Sequence, residues 1–448
     1  MKKILPLTLL LLTACNLAPD YERPSFNMPE SWRNKSITEN AAQNAEWWQG
    51  FKSEELNALV TRALDSNLDI EASIARLEQA RADAKIAGSS LWPDISASGN
   101  VGQEWQARGR NRDASSNNYR AGLAVGYEVD LWGRNRAARD SAEARVKASE
   151  FDRNIVRLLT ISDVTKSYLG ILALSDQLQF AQKNLDNAQE LMNIVQARYD
   201  AGSVSNLELA QQKSDLASVE ASMASLQQQK EALHNGLALL LGDFPQNWDA
   251  KESSLNSVAA PSMTVIHPAD LLDRRPDILA AEQNLIAANI DIGEARSAFY
   301  PLLDLSLDTA LSANPISASA MLANSIAAAL SVPIFTGGAL EGAVEGAEAR
   351  KRELIAAYRK TVLSAFGEVD TALSDIEWTG KRFEALKVST DQARDAYEIA
   401  RLRYDNGSID FQELLIAQRD VIQKENSLVQ GKLDQFTAAI DLKKALAE

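Results

Sequence analysis

The one side chain placed for covalent chemistry is the thiol of Cys15, the only cysteine in 448 residues. Ahead of it run Lys2 and Lys3, an apolar stretch over residues 4–12, and Thr13-Ala14. These are the charged, apolar and small-residue zones of a secretory signal, and the stretch is too short to span a bilayer. Leu12-Thr13-Ala14-Cys15 also fits the bacterial lipobox, in which the thiol is acylated and the cysteine becomes the first mature residue. Asn16 rather than Asp then holds position two, which in lipoproteins of enterobacterial type implies forwarding to the outer membrane. Other chemistries lack their parts. His234 and His267 are the only histidines and lie in unrelated segments, so neither a His-based site nor a metal cluster is expected. No G-x-x-x-x-G-K phosphate cradle occurs. The sequence therefore reads as a non-enzyme with no metal and no cofactor beyond a covalent lipid on Cys15, and any work it takes part in draws its energy from a partner.

The rest of the chain must position that lipid. Loss of Lys2 and Lys3 with the signal takes the formal charge from −15 to −17, which argues against nucleic acid or an anionic membrane surface as partner. Past the signal no run of 18 apolar residues occurs, so any crossing of a membrane falls to strands. Residues 1–14 are read as signal peptide. Residues 15–50, polar and punctuated by Pro19, Pro24 and Pro29, are read as a lipid-anchored, extended tether.

The body is a duplication with an offset near 205 residues. Arg198-Tyr199-Asp200-Ala201-Gly202-Ser203 returns as Arg403-Tyr404-Asp405-Asn406-Gly407-Ser408, and Glu143-Ala144-Arg145 returns as Glu348-Ala349-Arg350. This divides the chain into a first repeat, 51–241, an equatorial linker, 242–270, and a second repeat, 271–448. Each repeat carries two strand candidates, within about 94–131 and about 302–335. Over 119–131 every odd residue is apolar and the even ones include Arg120, Gly122, Gly126, Glu128 and Asp130, the period of two that marks a strand. Ile95 onward alternates likewise, as do Leu303 to Leu311, and Ile326 to Ile334 forms the fourth. Soluble half-buried strands alternate too. Length, and aromatics at the strand ends (Trp92, Trp105, Tyr119, Trp132, Phe299, Tyr300 and Phe335), favour membrane strands. The segments 106–118 and 312–324 are expected as external loops.

Most of the remainder is predicted helical. From 133 to 199 no proline intervenes, and Ile171, Leu174, Leu178, Ala181, Leu185, Ala188, Met192, Val195 and Tyr199 step by three and four, as a coiled-coil seam does. A helix of that span is on the order of 100 Å long. The return helix keeps the step through Leu209, Gln212, Leu216 and Val219 with polar breaks. Gly202 and Gly407 suit a left-handed helix end, and Ser205-x-x-Glu208 and Asp410-x-x-Glu413 suit the capping of the next helix. Gly338-x-x-x-Gly342-x-x-x-Gly346 is expected to let helices approach closely at the strand-to-helix junction. Four strands leave two unpaired edges, which lipid forbids, so the chain is expected to oligomerise; three copies would close twelve strands around a lumen, although other closures remain open.

The lipobox with Asn16-Leu17-Ala18-Pro19-Asp20-Tyr21-Glu22-Arg23-Pro24, the junction Val129-Asp130-Leu131-Trp132-Gly133-Arg134, Leu271-Leu272-Asp273-Arg274-Arg275-Pro276-Asp277-Ile278 and Pro333-Ile334-Phe335-Thr336-Gly337-Gly338 resemble the outer membrane factors of TolC and OprM type, over essentially the whole mature chain. The resemblance implies a mixed but mostly α fold: a homotrimeric, twelve-stranded transmembrane β-barrel, four strands per protomer, continuous with a long periplasmic α-helical barrel of coiled-coil hairpins. It implies localisation in the outer membrane, lipid-anchored and reaching into the periplasm. It further implies a passive efflux channel for drugs or other small toxic solutes, partnered by a periplasmic adaptor (membrane fusion) protein and an inner-membrane transporter of the RND class. By position, Ala201, Gly202, Ser203, Asn406, Gly407 and Ser408 are the adaptor-contacting hairpin tips, although serine replaces the family's aliphatic residue after each glycine. Glu208, Asp215, Tyr404, Gln412 and Arg419 are the candidate periplasmic gate. Two other readings compete: a periplasmic coiled-coil lipoprotein without a pore, and an exit duct of type I protein secretion. Because strands supply their own membrane affinity, Cys15→Ser on a cleavable signal is expected still to give trimers in the outer membrane. Fractionation that recovers only soluble monomer would refute the membrane-strand reading.

Overall fold

The computed structural model describes residues 16–34, 46–106, 114–248, 253–314 and 319–448. Cys15 and the signal lie outside them, as do parts of the two expected loops and of the linker. Eleven regular elements run α1(Glu54–Ser66), α2(Leu68–Ser89), β1(Asp94–Gln106), β2(Ala114–Val129), α3(Arg134–Asp200), α4(Asn206–Leu240), α5(Pro276–Ser297), β3(Leu302–Asn314), β4(Ser319–Ser331), α6(Ala339–Asp405) and α7(Phe411–Ala445), with short 3-10 turns between them. The duplication holds to the residue in the long helices: α3 and α6 each have 67 residues, α4 and α7 each 35. No described helix is long and apolar enough to cross a membrane.

The chain folds as two compact units, and neither coincides with a repeat. One takes residues 75–151 and 279–360 with the N-terminal stretch to 25; the other takes 26–74, 152–278 and 361–448. Each unit is thus assembled from both halves of the duplication.

The first unit is built around one antiparallel sheet in the order β1-β2-β3-β4. Its register pairs Val125 with both Ile95 and Leu307, and Leu307 with Ile326, so the apolar residues of all four strands share one face. On the other face Glu128 lies opposite Asp304, and Ser96 opposite Ala124. Among the described residues nothing covers β4 from Ala320 onward: Ile326 is 86% exposed and Leu330 69%.

Several expectations need correction here. Paired strands reach further than the alternation suggested, since β1 continues to Gln106 and β2 begins at Ala114, while β3 continues to Asn314 and β4 begins at Ser319. The loops are correspondingly shorter than 106–118 and 312–324. Tyr119 sits inside β2, not at its end, and β4 stops at Ser331 before Val332 and Ile334. Trp92, Trp132, Phe299, Tyr300 and Phe335 do lie just past strand ends, all at the helix-proximal end of the sheet, where Trp132 donates to the Pro301 carbonyl at 2.8 Å. A Cβ on Gly338, Gly342 or Gly346 would meet nothing within 4 Å among the described residues of one copy.

The N-terminal stretch in this unit is laid onto α5. Asn289 donates to the Pro19 carbonyl at 2.7 Å, and Glu282, itself 7% exposed, accepts from the Tyr21 hydroxyl at 3.2 Å and from Arg23 Nε at 2.8 Å. Burial, then the neighbouring Glu282 carboxylate, hold the Tyr21 phenol well above its ordinary range. Gly293 is required for the approach, because a Cβ there would stand 2.6 Å from the Ala18 nitrogen.

The second unit has the larger core. Ser53 caps α1 by accepting from Leu56 N, and α1 turns Leu56, Leu59, Val60 and Ala63 inward. They join Trp47, Phe51, Tyr168, Leu169, Leu172, Leu237, Leu241, Leu255, Phe436 and Ile440 in one cluster, with Phe51 edge-on to Phe436 at 5.7 Å. Arg275 of the Arg274-Arg275-Pro276 motif is buried and fully engaged: it donates to Asp277, to Glu368 at 2.8 Å and to the Ala445 carbonyl at 3.0 Å. Nearby in the same unit, Trp32 donates to the Ile266 carbonyl at 2.7 Å.

The strap makes a sharp expectation. Gly293→Val leaves no room for Ala18 and is expected to lift residues 16–23 from α5 while the rest of the fold stays intact. Limited proteolysis should then cut before Pro24 in the variant and spare the parent; equal resistance would show that the strap is not held there.

Candidate functional site

Among the described residues no group of three or more His, Cys, Asp or Glu side chains is placed to hold a metal ion. The candidate site is the turn end of the helical hairpins in the second unit. In the first repeat Gly202 takes φ +73° and in the second Gly407 takes +69°, a left-handed conformation that costs a residue with a Cβ roughly 1–2 kcal/mol. That geometry lets Gly202 N donate to the Tyr199 carbonyl and Ser203 N to that of Arg198, each at 2.9 Å; Gly407 N and Ser408 N repeat this on Tyr404 and Arg403. Orphan carbonyls at both helix ends are thereby satisfied. The following helices are capped as the spacing predicts: Ser205 accepts from Glu208 N at 3.3 Å, and Asp410 from Glu413 N at 2.9 Å. Ala201, Gly202, Ser203, Asn406, Gly407 and Ser408 are all exposed. The Ser203 hydroxyl is turned back onto the Arg198 carbonyl at 2.8 Å, so that tip presents backbone and a small surface.

Behind the tips the proposed gate residues separate into groups. Asp215 of α4 and Arg419 of α7 meet within one chain, with Nε to Oδ1 at 2.9 Å; the Asp215 side chain is 4% exposed and that of Arg419 61%. Tyr404 is buried with Val195, Leu209, Phe411, Leu414 and Leu415, its ring 5.6 Å from that of Phe411 and 5.0 Å from the Arg198 guanidinium. Burial pushes its phenol up, and the Arg198 charge partly offsets this. The Tyr404 hydroxyl has no hydrogen-bond partner. Glu208 stands half-buried in the first turn of α4, and Gln412 is exposed on α7. The sequence reading did not single out Arg198, nor the pairs Glu190–Arg401 at 3.0 Å and Arg394–Glu425 at 2.9 Å, which tie the helices near this end. The Gln212 break in the α4 seam was visible, and the structure explains it: Gln212 is fully buried and donates to the Ala188 carbonyl of α3 at 2.8 Å.

A four-stranded sheet with bare edges and an apolar exposed face, joined in one chain to two helical hairpins with glycine tips, defines an outer-membrane efflux channel subunit. The family model described as "Outer membrane efflux protein" matches residues 59–243 and again 268–448, once for each repeat. The chain belongs to that family. It is 35% identical to the pyoverdine export outer membrane protein OpmQ of Pseudomonas aeruginosa, over 98% of this chain and 94% of that one. It is 29% identical to the cation efflux system protein CusC of Escherichia coli, over 95% and 94%. Among solved structures, the Campylobacter jejuni CmeC outer membrane channel superposes with TM-score 0.87 at 25% identity, covering 97% of this chain and 95% of that one.

The tip glycines generate an expectation of their own. Gly202→Val with Gly407→Val is expected to raise amide exchange in the first turns of α4 and α7, since the strain falls there, and to leave the thermal midpoint of the core unmoved. Unchanged exchange at both turns would mean that the left-handed geometry is not needed.

Proposed function

We propose that three copies of this chain close twelve strands into one outer-membrane barrel, and that the protein is the passive exit duct of a tripartite efflux assembly. The observation that carries the reading is the uncovered sheet: β1 and β4 each have one unpaired edge, and the apolar face is open at Ile95 (72%), Val101 (79%) and Ile326 (86%). Lipid tolerates that face but not those edges, and joining β4 of one copy to β1 of the next removes both defects together. The tips at Ala201, Gly202, Ser203, Asn406, Gly407 and Ser408 would meet a periplasmic adaptor, itself joined to an inner-membrane transporter of RND type that supplies the energy.

The cargo is small solutes. OpmQ is named for pyoverdine and CusC for cations, so relatives of this chain serve different cargoes and the choice falls to the pump. A pyoverdine-like chelator is the first cargo to test, given the 35% identity to OpmQ.

Glu208, Asp215, Tyr404, Gln412 and Arg419 would form the gate near the hairpin ends. The Asp215 carboxylate of the one ion pair in this set is buried and its Arg419 partner is largely exposed; three symmetric sets of such contacts add while each stays breakable, so adaptor binding can shift the population to open. Tyr404→Phe removes a buried hydroxyl with no geometrically sound hydrogen bond among the described residues and keeps the ring beside Arg198, so its folding cost is expected to be small. Arg419→Ser removes the Asp215 partner. Together they are expected to raise single-channel conductance of the purified protein and to sensitise cells to large antibiotics, without loss of oligomer. Unaltered conductance in a folded double variant would take these residues out of the gate.

A further inference from the structure

We infer that the slot between α4 and α7 is a binding site for a small organic amine: an ammonium group carried on a short apolar body. The slot encloses about 270 Å³, at the small end of the range for ligand pockets. One wall is the α4 face carrying Asp215, Ser218 and Ser222; the other is the α7 face carrying Arg419 and Ile422.

The side-chain amides of Asn184, Gln423 and Asn426 line the slot as well and can accept through their oxygens or donate, so the selective group is Asp215. Asp215 is 3% exposed. Its Oδ1 takes Arg419, but its Oδ2 is buried with no hydrogen-bond partner, the costliest condition for a carboxylate oxygen. The hydroxyl protons of Ser218 and Ser222 are already given, at 2.9 Å, to the carbonyls of Ser214 and Ser218, so each oxygen keeps only lone pairs for a newcomer. A primary ammonium brings three donors and no acceptor, the complement of that set. Val219, Leu226 and Ile422 also line the slot and would pack against the apolar body.

Charge balance selects the amine over an uncharged analogue. The Arg419 side chain is 61% exposed and reaches solvent by rotation, so an incoming ammonium can take its place on Asp215 and exchange one cation for another. A neutral molecule that displaced Arg419 would leave a buried carboxylate unpaired, which is heavily penalised. The slot shares Asp215 and Arg419 with the proposed gate, so its test is a binding measurement, which stands whether or not those residues gate the channel.

Full-length protein in detergent is titrated with phenethylamine near pH 7, with phenethyl alcohol as the uncharged counterpart. Saturable binding at one amine per chain is expected, with the alcohol weaker by at least about tenfold, the scale of one lost charge-assisted contact. Asp215→Asn is expected to cost a similar factor. Ser222→Phe, at an exposed position, fills the slot and is expected to abolish binding; it decides the matter alone should Asp215→Asn fail to fold. Equal affinity for amine and alcohol, no saturable amine binding to the parent, or undiminished amine binding in the folded variants would overturn the assignment.

Discussion

The constraint on which the first unit depends is that its sheet has no second layer. A soluble sheet buries one face against helices or another sheet, yet β4 is exposed along both faces and β1 nearly so. Backbone pairing inside the sheet is complete across thirteen rungs between β1 and β2 and thirteen between β3 and β4, so what remains unsatisfied is the outer edge of each terminal strand. In lipid those edges cannot stay open. The alternation of Ile95, Val125, Leu307 and Ile326 against Asp94, Glu128, Asp304 and Asp308 then fits a wall between hydrocarbon and water, which has one dry face and one wet one.

The duplication solves the same problem twice with different residues. Both long helices have the same length, and both end in the same left-handed glycine turn, yet Ser205 caps one return helix and Asp410 the other. At the same offset Ser214-Asp215 corresponds to Arg419-Asp420, so the acid is present in both copies and only the second carries the cation of the Asp215–Arg419 pair.

Periodic features of the fold were legible because periodicity is what burial imposes. The 3.6 step through Ala188, Val195 and Leu209 and the period of two through Leu123 and Val125 survive as the seams and strands observed. Features that rest on individual contacts were not legible. Nothing in the pattern around Tyr21 and Arg23 announces Glu282 as their acceptor some 260 residues later. The start of β2 at Ala114 was hidden because the residues there do not alternate; the strand is recorded in the backbone register, which no side-chain pattern announces. The residues proposed for the gate were chosen by position, and their geometry was not legible. Tyr404 looks like a polar group available to a pore, and its ring is in fact part of the hairpin core beside Phe411.

Within the second unit, order and polarity are unevenly distributed, and this links packing to motion. The cluster around Phe51, Tyr168 and Phe436 is aromatic, dry and continuous, the kind of core that opens only with global unfolding. Toward the hairpin ends the seam admits Gln212, Asp215, Gln418 and Tyr404, each buried and each with at least one polar atom that no partner satisfies. Every such atom costs about 1–3 kcal/mol relative to a satisfied one, so this layer is the cheapest place in the unit to separate helices. Opening it hydrates the orphan groups and returns part of that cost, whereas the aromatic cluster carries one such atom, Trp47 Nε1, among far more hydrocarbon. The sequence pays for that asymmetry with four polar side chains where leucines would have packed more tightly.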